Sequence, residues 1–450
     1  MTDSYSGDTV RRTRIVVCIV ALIIIIALCV YLAVILTAKD VILSKEEILS
    51  AMEDYDAERS SVCAYIDDFG IGVFDKTRFR DVEFYYEHYY YKEVSVDELA
   101  LAKDTATLFI EYFYDKTDLC DADAVTEGII NCYIYAFGDE YGVYRNPVDY
   151  GNYTESMSGM GVGIGVEITI KYEPLSVQVT DLLPGSGAEA AGIAIGDYLT
   201  AVDGVTLAEL GVDGMKRALS GEVGTEVLVT VLRGEEEMTL PVTRCLYESR
   251  IVRYRIDENK IAYISISSFK DNTDDQLKAA LASAEADGAV GIIFDLRDNL
   301  GGYLSSALNS IELLVEGGVR MASSVSRSGG EKIYTSENED KVSVPVVVLC
   351  DGYTASAGEL FTAAVRDFSD MGYLDATIVG TTTYGKGVMQ STFKFNGGAA
   401  LTLTTALYNP PSGVNYDGVG IVPDVVVELT SHSDTQLEAA IAVLIQKNAN

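Results

Sequence analysis

At 450 residues the chain is longer than one ordinary hydrophobic core organises, so two or three folded units are expected. An apolar fraction of 48% beside a charged fraction of 22% is typical of globular domains and excludes a disordered chain. The 68 acidic residues outnumber the 33 basic ones, which gives a formal net charge of −35. A surface of this sign repels phosphate backbones, so nucleic acid is not expected as a partner.

Cysteine and histidine are too sparse to indicate a metal or redox site. The chain has seven cysteines and two histidines, and no CxxC pair occurs. Cys120 and Cys132 could form a disulfide in an oxidising compartment, but the sequence does not decide this, and we take them as free thiols. Neither a metal nor another cofactor is expected.

An N-terminal membrane anchor is predicted from the uninterrupted apolar stretch Ile15 to Leu36. As a helix its 22 residues would span about 33 Å, enough for the hydrocarbon core of a bilayer. The stretch is longer than the apolar region of a cleavable signal peptide, and the small-residue cleavage pattern is missing. Because Arg11, Arg12 and Arg14 precede it, the positive-inside rule predicts a single-pass protein of the cell membrane. Residues 1–14 would be cytoplasmic and the body of about 410 residues extracytoplasmic.

The region that follows the predicted anchor, residues 37–155, is expected to be mainly helical. A capping box at Ser44–Glu47 opens one helix, and apolar residues at helical spacing predict two more, at 98–115 and 124–137. Between them the segment 84–91 (FYYEHYYY) is rich in tyrosine. We interpret it as aromatic packing within the helical layer, with an interaction surface as the alternative.

Short alternating segments between residues 156 and 245 predict a small β-rich domain. The predicted strands lie at 164–170, 176–183, 198–202 and 226–232, and the predicted helices at 188–191 and 212–219. From residue 246 to the end of the chain, strands alternate with helices instead. The apolar segments 260–269, 290–296 and 342–350 read as buried strands, with helices predicted at 274–286, at 305–315 and from about residue 356. Apolar strands that are covered on both faces indicate a layered α/β core.

Several sequence segments, in one order along the chain, carry a recognisable signature. They are 138–150 (GDEYGVYRNPVDY), 186–204 (SGAEAAGIAIGDYLTAVDG), 291–302 (GIIFDLRDNLGG), 352–361 (GYTASAGELF) with 382–390 (TTYGKGVMQ), and 418–428 (GVGIVPDVVVE). The second resembles part of a PDZ domain, and together they resemble the C-terminal processing peptidases, or tail-specific proteases. Asp298 and Leu300 stand where that family commonly has Asn and Pro.

The resemblance implies an α+β multidomain chain with a protease core similar to the Clp-protease/crotonase fold. The expected parts are a cytoplasmic tail (1–14), a transmembrane anchor (15–36), a helical N-terminal region (37–155), a PDZ domain (156–245) and a serine protease core (246–450).

A serine hydroxyl needs a nearby base before it can act as a nucleophile. His88 lies before the PDZ-like region, His432 lies in the terminal segment beyond the last core motif, and no GxSxG elbow is present, which argues against a Ser-His-Asp triad. A lysine can replace histidine when burial lowers its pKa. Lys386 lies between two glycines and just before the apolar Val388 and Met389, a sequence that allows such burial.

The family resemblance assigns the roles within this site. Ser356 is the nucleophile, in preference to the competing hydroxyl of Thr354, Lys386 is the base, and Gln390 orients the lysine. Gln390 follows Lys386 by four residues, a spacing that would put both side chains on one face of a strand or a helix. The oxyanion donors are the N–H group of Ala357 and that of Gly301 or Gly302.

The PDZ-like region implies the kind of substrate. Its Gly163-Ile164-Gly165-Val166 loop would bind a terminal carboxylate, and the peptide would then add as a strand to the edge of the sheet. The expected partners are proteins or peptides with accessible C-terminal tails, together with the lipid bilayer. A homo-oligomer is compatible with the sequence, which does not define the oligomeric state.

The sequence therefore predicts a membrane-anchored serine endopeptidase, and two alternatives remain open. One is a catalytically inactive PDZ scaffold, which the presence of Ser356, Lys386 and Gln390 argues against. The other is a crotonase-type acyl-CoA enzyme, which an extracytoplasmic body argues against because coenzyme A is a cytoplasmic cofactor.

Overall fold

The computed structural model describes residues 74–92, 97–113, 117, 121–430 and 433–449. The predicted anchor at 15–36, the helix predicted from Ser44, Cys120 and His432 lie outside these residues. None of the helices within the described ranges has the length and apolar character needed to cross a bilayer. The chain divides into two compact units. One comprises the residues up to Asn146 together with Thr392–Leu403, and the other comprises Pro147–Ser391 together with the residues from Thr404 onward.

The described residues of the first unit that precede Pro147 form helices and one short strand. These elements are α1 (Lys76–Tyr89), α2 (Glu98–Tyr112), α3 (Ala122–Phe137) and β1 (Val143–Arg145). The α2 and α3 helices agree with the segments predicted from apolar spacing. The carboxylate of Asp121 accepts the first free N–H groups of α3, and Gly138 ends that helix in the left-handed conformation, at a φ of 85°.

The tyrosine-rich segment lies in and just after α1, and it packs within this unit as predicted. Tyr86 is 1% exposed, and its ring lies 4.7 Å from that of Phe137, centroid to centroid. Its hydroxyl donates to the carboxylate of Asp139. Tyr85 stacks on Phe393 at 4.4 Å. The outer face of α1 keeps Phe84 and Tyr89 about half exposed, so packing accounts for only part of this aromatic segment.

The second unit begins with α4 (Pro147–Met157) and a small antiparallel β domain. The strands of this domain are β2 (Met160–Gly163), β3 (Val166–Tyr172), β4 (Leu175–Leu182), β5 (Tyr198–Val202), β6 (Val205–Thr206), β7 (Glu226–Arg233), β8 (Glu236–Thr243) and β9 (Cys245–Glu248), and its helices are α5 (Gly187–Ala191) and α6 (Leu207–Leu219). The main sheet has the order β3-β4-β5-β7-β8, so β3 is an edge strand. This open edge is what strand addition by a peptide requires.

The α6 helix begins five residues before the predicted start at residue 212. A capping box between Thr206 and Glu209 starts the helix, and Gly211 interrupts it with non-helical angles. The sequence prediction missed the first turn because the glycine breaks the apolar periodicity between cap and helix.

The remaining residues of the second unit form the layered α/β core. Its strands are β10 (Val252–Ile256), β11 (Ile261–Ile266), β12 (Gly291–Asp295), β13 (Arg320–Ser326), β14 (Glu331–Thr335), β15 (Val346–Cys350), β16 (Ala376–Gly380), β17 (Val388–Lys394), β18 (Ala400–Asn409) and β19 (Val425–Val426), and its helices are α7 (Thr273–Ala286), α8 (Leu304–Glu312), α9 (Ala357–Asp370) and α10 (Thr435–Asn448). Residues 392–403 of the β17–β18 hairpin belong to the first unit.

The central sheet has the order β10-β11-β12-β15-β16-β19, with β11 to β19 parallel. Every residue of β12 and β15 is buried. Alternate side chains of these strands pack against α7, α8 and α9 on one face and against α10 on the other. The predicted α+β multidomain architecture and its layered core are confirmed.

The arrangement of the parallel strands determines where the sequence motifs meet. The glycine motif follows β12, the Ser356 motif follows β15 and the Lys386 motif follows β16, and these three strands are neighbours in the sheet. All three loops therefore leave the carboxyl edge of one sheet, where open α/β folds form their sites.

Candidate active site

Ser356 immediately precedes α9 and has an unusual backbone conformation. Its φ is 55° and its ψ is −119°, in a region that non-glycine residues rarely adopt. Such a conformation costs on the order of 1–3 kcal/mol and persists only where the surrounding structure imposes it. The constraint here is a hydrogen bond of 2.9 Å from the Ser356 N–H group to Oε2 of Glu359.

Thr354, the competing hydroxyl in this motif, has a structural role instead. It is fully buried, its hydroxyl donates to the carbonyl of Leu296 at 2.8 Å, and it accepts from the N–H group of Asp351 at 3.0 Å. These bonds fasten the loop after β15 to the end of β12. The geometry thus favours Ser356 over Thr354 as the nucleophile.

Glu359, a residue that the sequence analysis did not single out, links the Ser356 and Lys386 loops. The side chain is fully buried. Its Oε2 accepts the N–H groups of Ser356 and Lys386, at 2.9 and 2.8 Å. Its Oε1 accepts the hydroxyl of Thr383 at 2.5 Å and the N–H group of Gly385 at 2.6 Å. One carboxylate therefore fixes the main chain of both predicted catalytic residues.

Lys386 lies in the loop before β17 and is half-buried between Gly385 and Gly387. A Cβ at Gly387 would lie only 2.7 Å from the nitrogen of Asp417. At Gly385, where φ is 95°, it would lie 3.0 Å from the nitrogen of Gly420. The two glycines thus allow the close backbone approach that the sequence suggested.

Gln390 lies within β17, whereas Lys386 precedes that strand. The argument that their spacing puts both side chains on one strand or helix face therefore does not apply. The amide nitrogen of Gln390 lies 3.4 Å from the hydroxyl oxygen of Thr404 and 3.4 Å from the carbonyl oxygen of Val388. These long contacts orient the amide. Thr404, in the neighbouring strand β18, is a partner that the sequence did not suggest.

The glycine loop approaches the start of α9 closely. At Gly301 φ is 98°, and an added Cβ would lie 2.8 Å from the carbonyl oxygen of Ala355 and 2.9 Å from the nitrogen of Ala357. The N–H group of Gly301 already donates to Oδ1 of Asn299 at 2.8 Å. In the described part of the chain, nothing accepts the N–H group of Gly302 or that of Ala357. Of the two glycines, Gly302 is the better candidate for an oxyanion donor.

Ion pairs of Arg297 hold the main chain at the start of the same glycine loop. Arg297 binds Asp295 and Asp434, with shortest distances of 2.6 and 2.7 Å, and so ties the loop to the start of α10. Hydrogen bonds from Arg297 lower the pKa of Asp434. Partial burial raises the pKa of Asp298, and the nearby carboxylate of Asp351 raises it further. The sequence analysis did not single out these residues, although the Asp-x-Arg spacing at the end of a buried strand is a signal that could have indicated them.

The predicted carboxylate loop lies between β2 and β3 of the small β domain. Ile164 is buried, its carbonyl accepts from Ala188 at 2.9 Å, and the carbonyl of Gly165 accepts from Leu183 at 3.0 Å. Within the described residues, the N–H groups of Ile164 and Gly165 have no acceptor. The loop thus presents free donors at the start of the edge strand β3.

Acidic, cysteine and histidine side chains are the usual protein ligands of metal ions. Among the described residues, no group of three or more is arranged to hold a metal ion. Cys132 is a buried free thiol, and burial raises its pKa to about 12.

Comparisons with known proteins agree with this organisation. Residues 260–427 match the sequence profile of peptidase family S41, and residues 178–233 match that of a PDZ domain. A CtpA-like serine protease of Staphylococcus aureus (strain COL) is 31% identical over 318 residues, which cover 70% of this chain and 62% of that protein. One from Staphylococcus haemolyticus is 32% identical over 323 residues, which cover 70% and 63%. The chain thus spans less than two thirds of the length of these curated relatives.

A solved structure supports the fold. An S41 protease from Bacteroides fragilis superposes with a TM-score of 0.50, covering 81% of this chain and 97% of that one. The two sequences are 14% identical, so this similarity concerns the fold alone.

Proposed function

Because the chain belongs to the C-terminal processing peptidase family, we propose that it is a serine endopeptidase that cleaves proteins or peptides recognised by their C-terminal tails. The observation that carries the proposal is the shared carboxylate of Glu359. It holds the N–H groups of Ser356 and Lys386 at 2.9 and 2.8 Å, beside a helix start whose N–H group at Ala357 is free among the described residues.

In the proposed reaction Lys386, as a neutral amine, takes the proton of the Ser356 hydroxyl while the serine oxygen attacks the scissile carbonyl. The oxyanion that forms is stabilised by the N–H groups of Ala357 and Gly302. Lys386 then gives the proton to the leaving amine, and an acyl ester on Ser356 remains. A water molecule, deprotonated by Lys386, hydrolyses the ester and restores the hydroxyl. Gln390 orients the lysine without adding a negative charge.

The small β domain would select the substrate in this proposal. Free N–H groups at Ile164 and Gly165 bind the terminal carboxylate, and the tail adds to β3, which is an open edge. The partly exposed apolar side chains of Val166, Ile168 and Ile170 line that strand.

Membrane attachment is proposed from the sequence of residues 15–36 alone, with the body on the extracytoplasmic side. Protease added to intact cells should then degrade the body and leave a small anchored fragment. Full protection of the body would contradict this topology.

The enzyme itself is tested with a fluorophosphonate probe and a peptide that ends in a free carboxylate. The wild-type protein should be labelled at Ser356 and should cleave the peptide, and Ser356→Ala should do neither. Ser328→Ala is the matched control, because Ser328 is an exposed turn serine bonded only to Ser326 in the described residues. A folded wild-type protein that binds tails but takes no label would instead be an inactive PDZ scaffold.

A further inference from the structure

The phenol of Tyr408 is a buried polar group that the proposed reaction does not use. Tyr408 lies in β18 and is 3% exposed. Its hydroxyl donates to the carbonyl oxygen of Lys386 at 2.7 Å, and its N–H group donates to the carbonyl of Gly387 at 3.1 Å. Two hydrogen bonds from one residue therefore hold the carbonyl of the predicted base and that of the next residue.

The proton of the phenol is used in this contact. Burial raises the pKa of Tyr408, so the phenol keeps its proton at neutral pH. A phenol has one proton, and here it is donated to the carbonyl oxygen of Lys386.

We propose that Tyr408 is a positioning residue of the serine–lysine site, which holds the main chain of Lys386 through a hydrogen bond from its buried phenol. This inference rests on the proposed function. It assigns Tyr408 no proton transfer. The phenol keeps the start of the lysine side chain in a fixed position, and such preorganisation contributes to the rate of the chemical step.

The surroundings of Tyr408 allow the hydroxyl to be removed without loss of the fold. Its ring packs edge-to-face on Tyr416, 5.9 Å between centroids, and a phenylalanine ring would keep this contact. The amide of Asn415 binds the carbonyls of Gly387 and Tyr408 at 2.9 and 2.8 Å, and Asp417 accepts the N–H group of Gly387 at 3.0 Å. These bonds remain when only the phenol oxygen is lost.

The test compares Tyr408→Phe with the wild-type protein and with Tyr334→Phe. Tyr334 is a matched control because it lies in β14, and its hydroxyl has a 3.4 Å contact with Ser324. For Tyr408→Phe we expect kcat to fall about tenfold or more while KM changes less than about twofold, the pattern of a lost transition-state contribution. The rate of fluorophosphonate labelling at Ser356 should fall by a similar factor. Tyr334→Phe should match the wild type in both assays.

All rates are taken per folded molecule, below the melting transition of each variant, so that a loss of stability is not read as a loss of positioning. If the wild type is active and Tyr408→Phe equals it within about twofold in kcat and in labelling, the Tyr408 role is wrong while the peptidase stands. If the wild type neither labels at Ser356 nor cleaves peptides, both proposals fail.

Discussion

Ser356 and Lys386 donate their main-chain N–H groups to the same oxygen atom, Oε2 of Glu359. The two residues lie in different loops, after β15 and β16, and the carboxylate between them is fully buried. A shared acceptor fixes the separation of two main-chain segments more firmly than two independent bonds would. The proposed nucleophile and base are thus held by one common acceptor, even though 29 residues separate them in the sequence.

Replacing Glu359 with Gln tests this shared acceptor. In the glutamine side chain an NH₂ group replaces one of the two carboxylate oxygens, and each of those oxygens now accepts hydrogen bonds. At least one buried donor therefore loses its acceptor. Each orphaned donor costs about 1–3 kcal/mol, and we expect the free energy of unfolding to fall by about 2–4 kcal/mol. Peptide cleavage per folded molecule should fall at least about 100-fold, because both catalytic loops shift. Urea unfolding and steady-state kinetics measure the two effects.

The control for Glu359→Gln is Glu316→Gln, which changes an exposed carboxylate 3.4 Å from Lys341. A surface pair of this kind contributes about 0–1 kcal/mol, so this variant should resemble the wild type. Wild-type activity in a stable Glu359→Gln protein would show that the carboxylate does not position the site.

The close approach of the glycine loop to Ser356 predicts a specific effect of Gly301→Ala. An added Cβ would lie 2.8 Å from the carbonyl oxygen of Ala355, and the φ of 98° is unfavourable for alanine. The loop must move away from the start of α9, so the oxyanion donors separate. We expect cleavage to fall at least about 100-fold, the scale of losing one oxyanion donor.

Gly288→Ala is matched to this change, because Gly288 also has a positive φ, of 72°, but a Cβ there meets no atom within 4 Å. It should lose about 1 kcal/mol of stability and keep full activity. Equal activity of the two alanine variants would remove the glycine loop from the oxyanion site.

How much of this site the sequence predicted depends on how far apart the interacting residues are. The motifs that contain Ser356, Lys386 and the glycine pair are local, and the predicted buried strands lead all three to one sheet edge. Glu359 was missed because, read locally, it is only an acidic residue in the first turn of a helix, which is common there. Its partners Thr383, Gly385 and Lys386 are brought to it by the sheet order alone.

Tyr408 and Gln390 show the same limit in strands. Alternation predicts that Tyr408 faces inward from β18, but an inward tyrosine is usually a core residue, and its partner Lys386 precedes it by 22 residues. The Lys386–Gln390 spacing suggested a shared face only because the start of β17 was not defined by the sequence. A contact between residues distant in the sequence decided the case of Tyr408, and a strand boundary decided that of Gln390. Both depend on tertiary pairing.

The ion pair between Arg233 and Asp197 predicts a pH-dependent stability of the small β domain. The Asp197 side chain is 1% exposed and accepts two bonds from Arg233, at 2.7 and 2.8 Å. These bonds lower the pKa of Asp197. A lowered folded-state pKa stabilises the protein above the unfolded value of about 3.9, and that contribution is lost as the pH falls through the folded pKa.

Arg233→Ala should therefore destabilise the protein at pH 7, because the buried Asp197 carboxylate loses its charged partner. The difference from wild type should shrink as the pH falls below the unfolded value of about 3.9 and through the lowered folded pKa of Asp197. Arg217→Ala, another arginine of this domain, is the control. A pH-independent difference in urea unfolding would contradict the assignment.

The free N–H groups of Ile164 and Gly165 predict that tail binding depends on the terminal carboxylate. Full-length protein with Ser356→Ala, which cannot turn the peptide over, should bind a free-acid peptide more tightly than the same peptide with an amidated C-terminus. The expected difference is about 1–3 kcal/mol, the scale of hydrogen bonds to a charged group. Equal dissociation constants in calorimetry would exclude carboxylate capture by this loop.

The lysine base is the least ordinary part of the mechanism, and two replacements of Lys386 separate its possible roles. Lys386→Arg keeps a positive charge but introduces a group that cannot lose its proton in a protein, whereas Lys386→Ala removes both charge and base. If Lys386 only attracted the substrate electrostatically, the Arg variant would keep much of the activity and the Ala variant would lose it. If Lys386 is the base, both variants should lose peptide cleavage about as completely as Ser356→Ala, because nucleophile and base act as one unit. Lys394→Arg, at the end of the β17 strand that follows Lys386, is the control and should leave kcat/KM unchanged. The main-chain bond from Lys386 to Glu359 does not depend on the side chain, so both variants should keep the loop in place. Substantial turnover by the Arg variant would end the Ser356–Lys386 assignment and require another base.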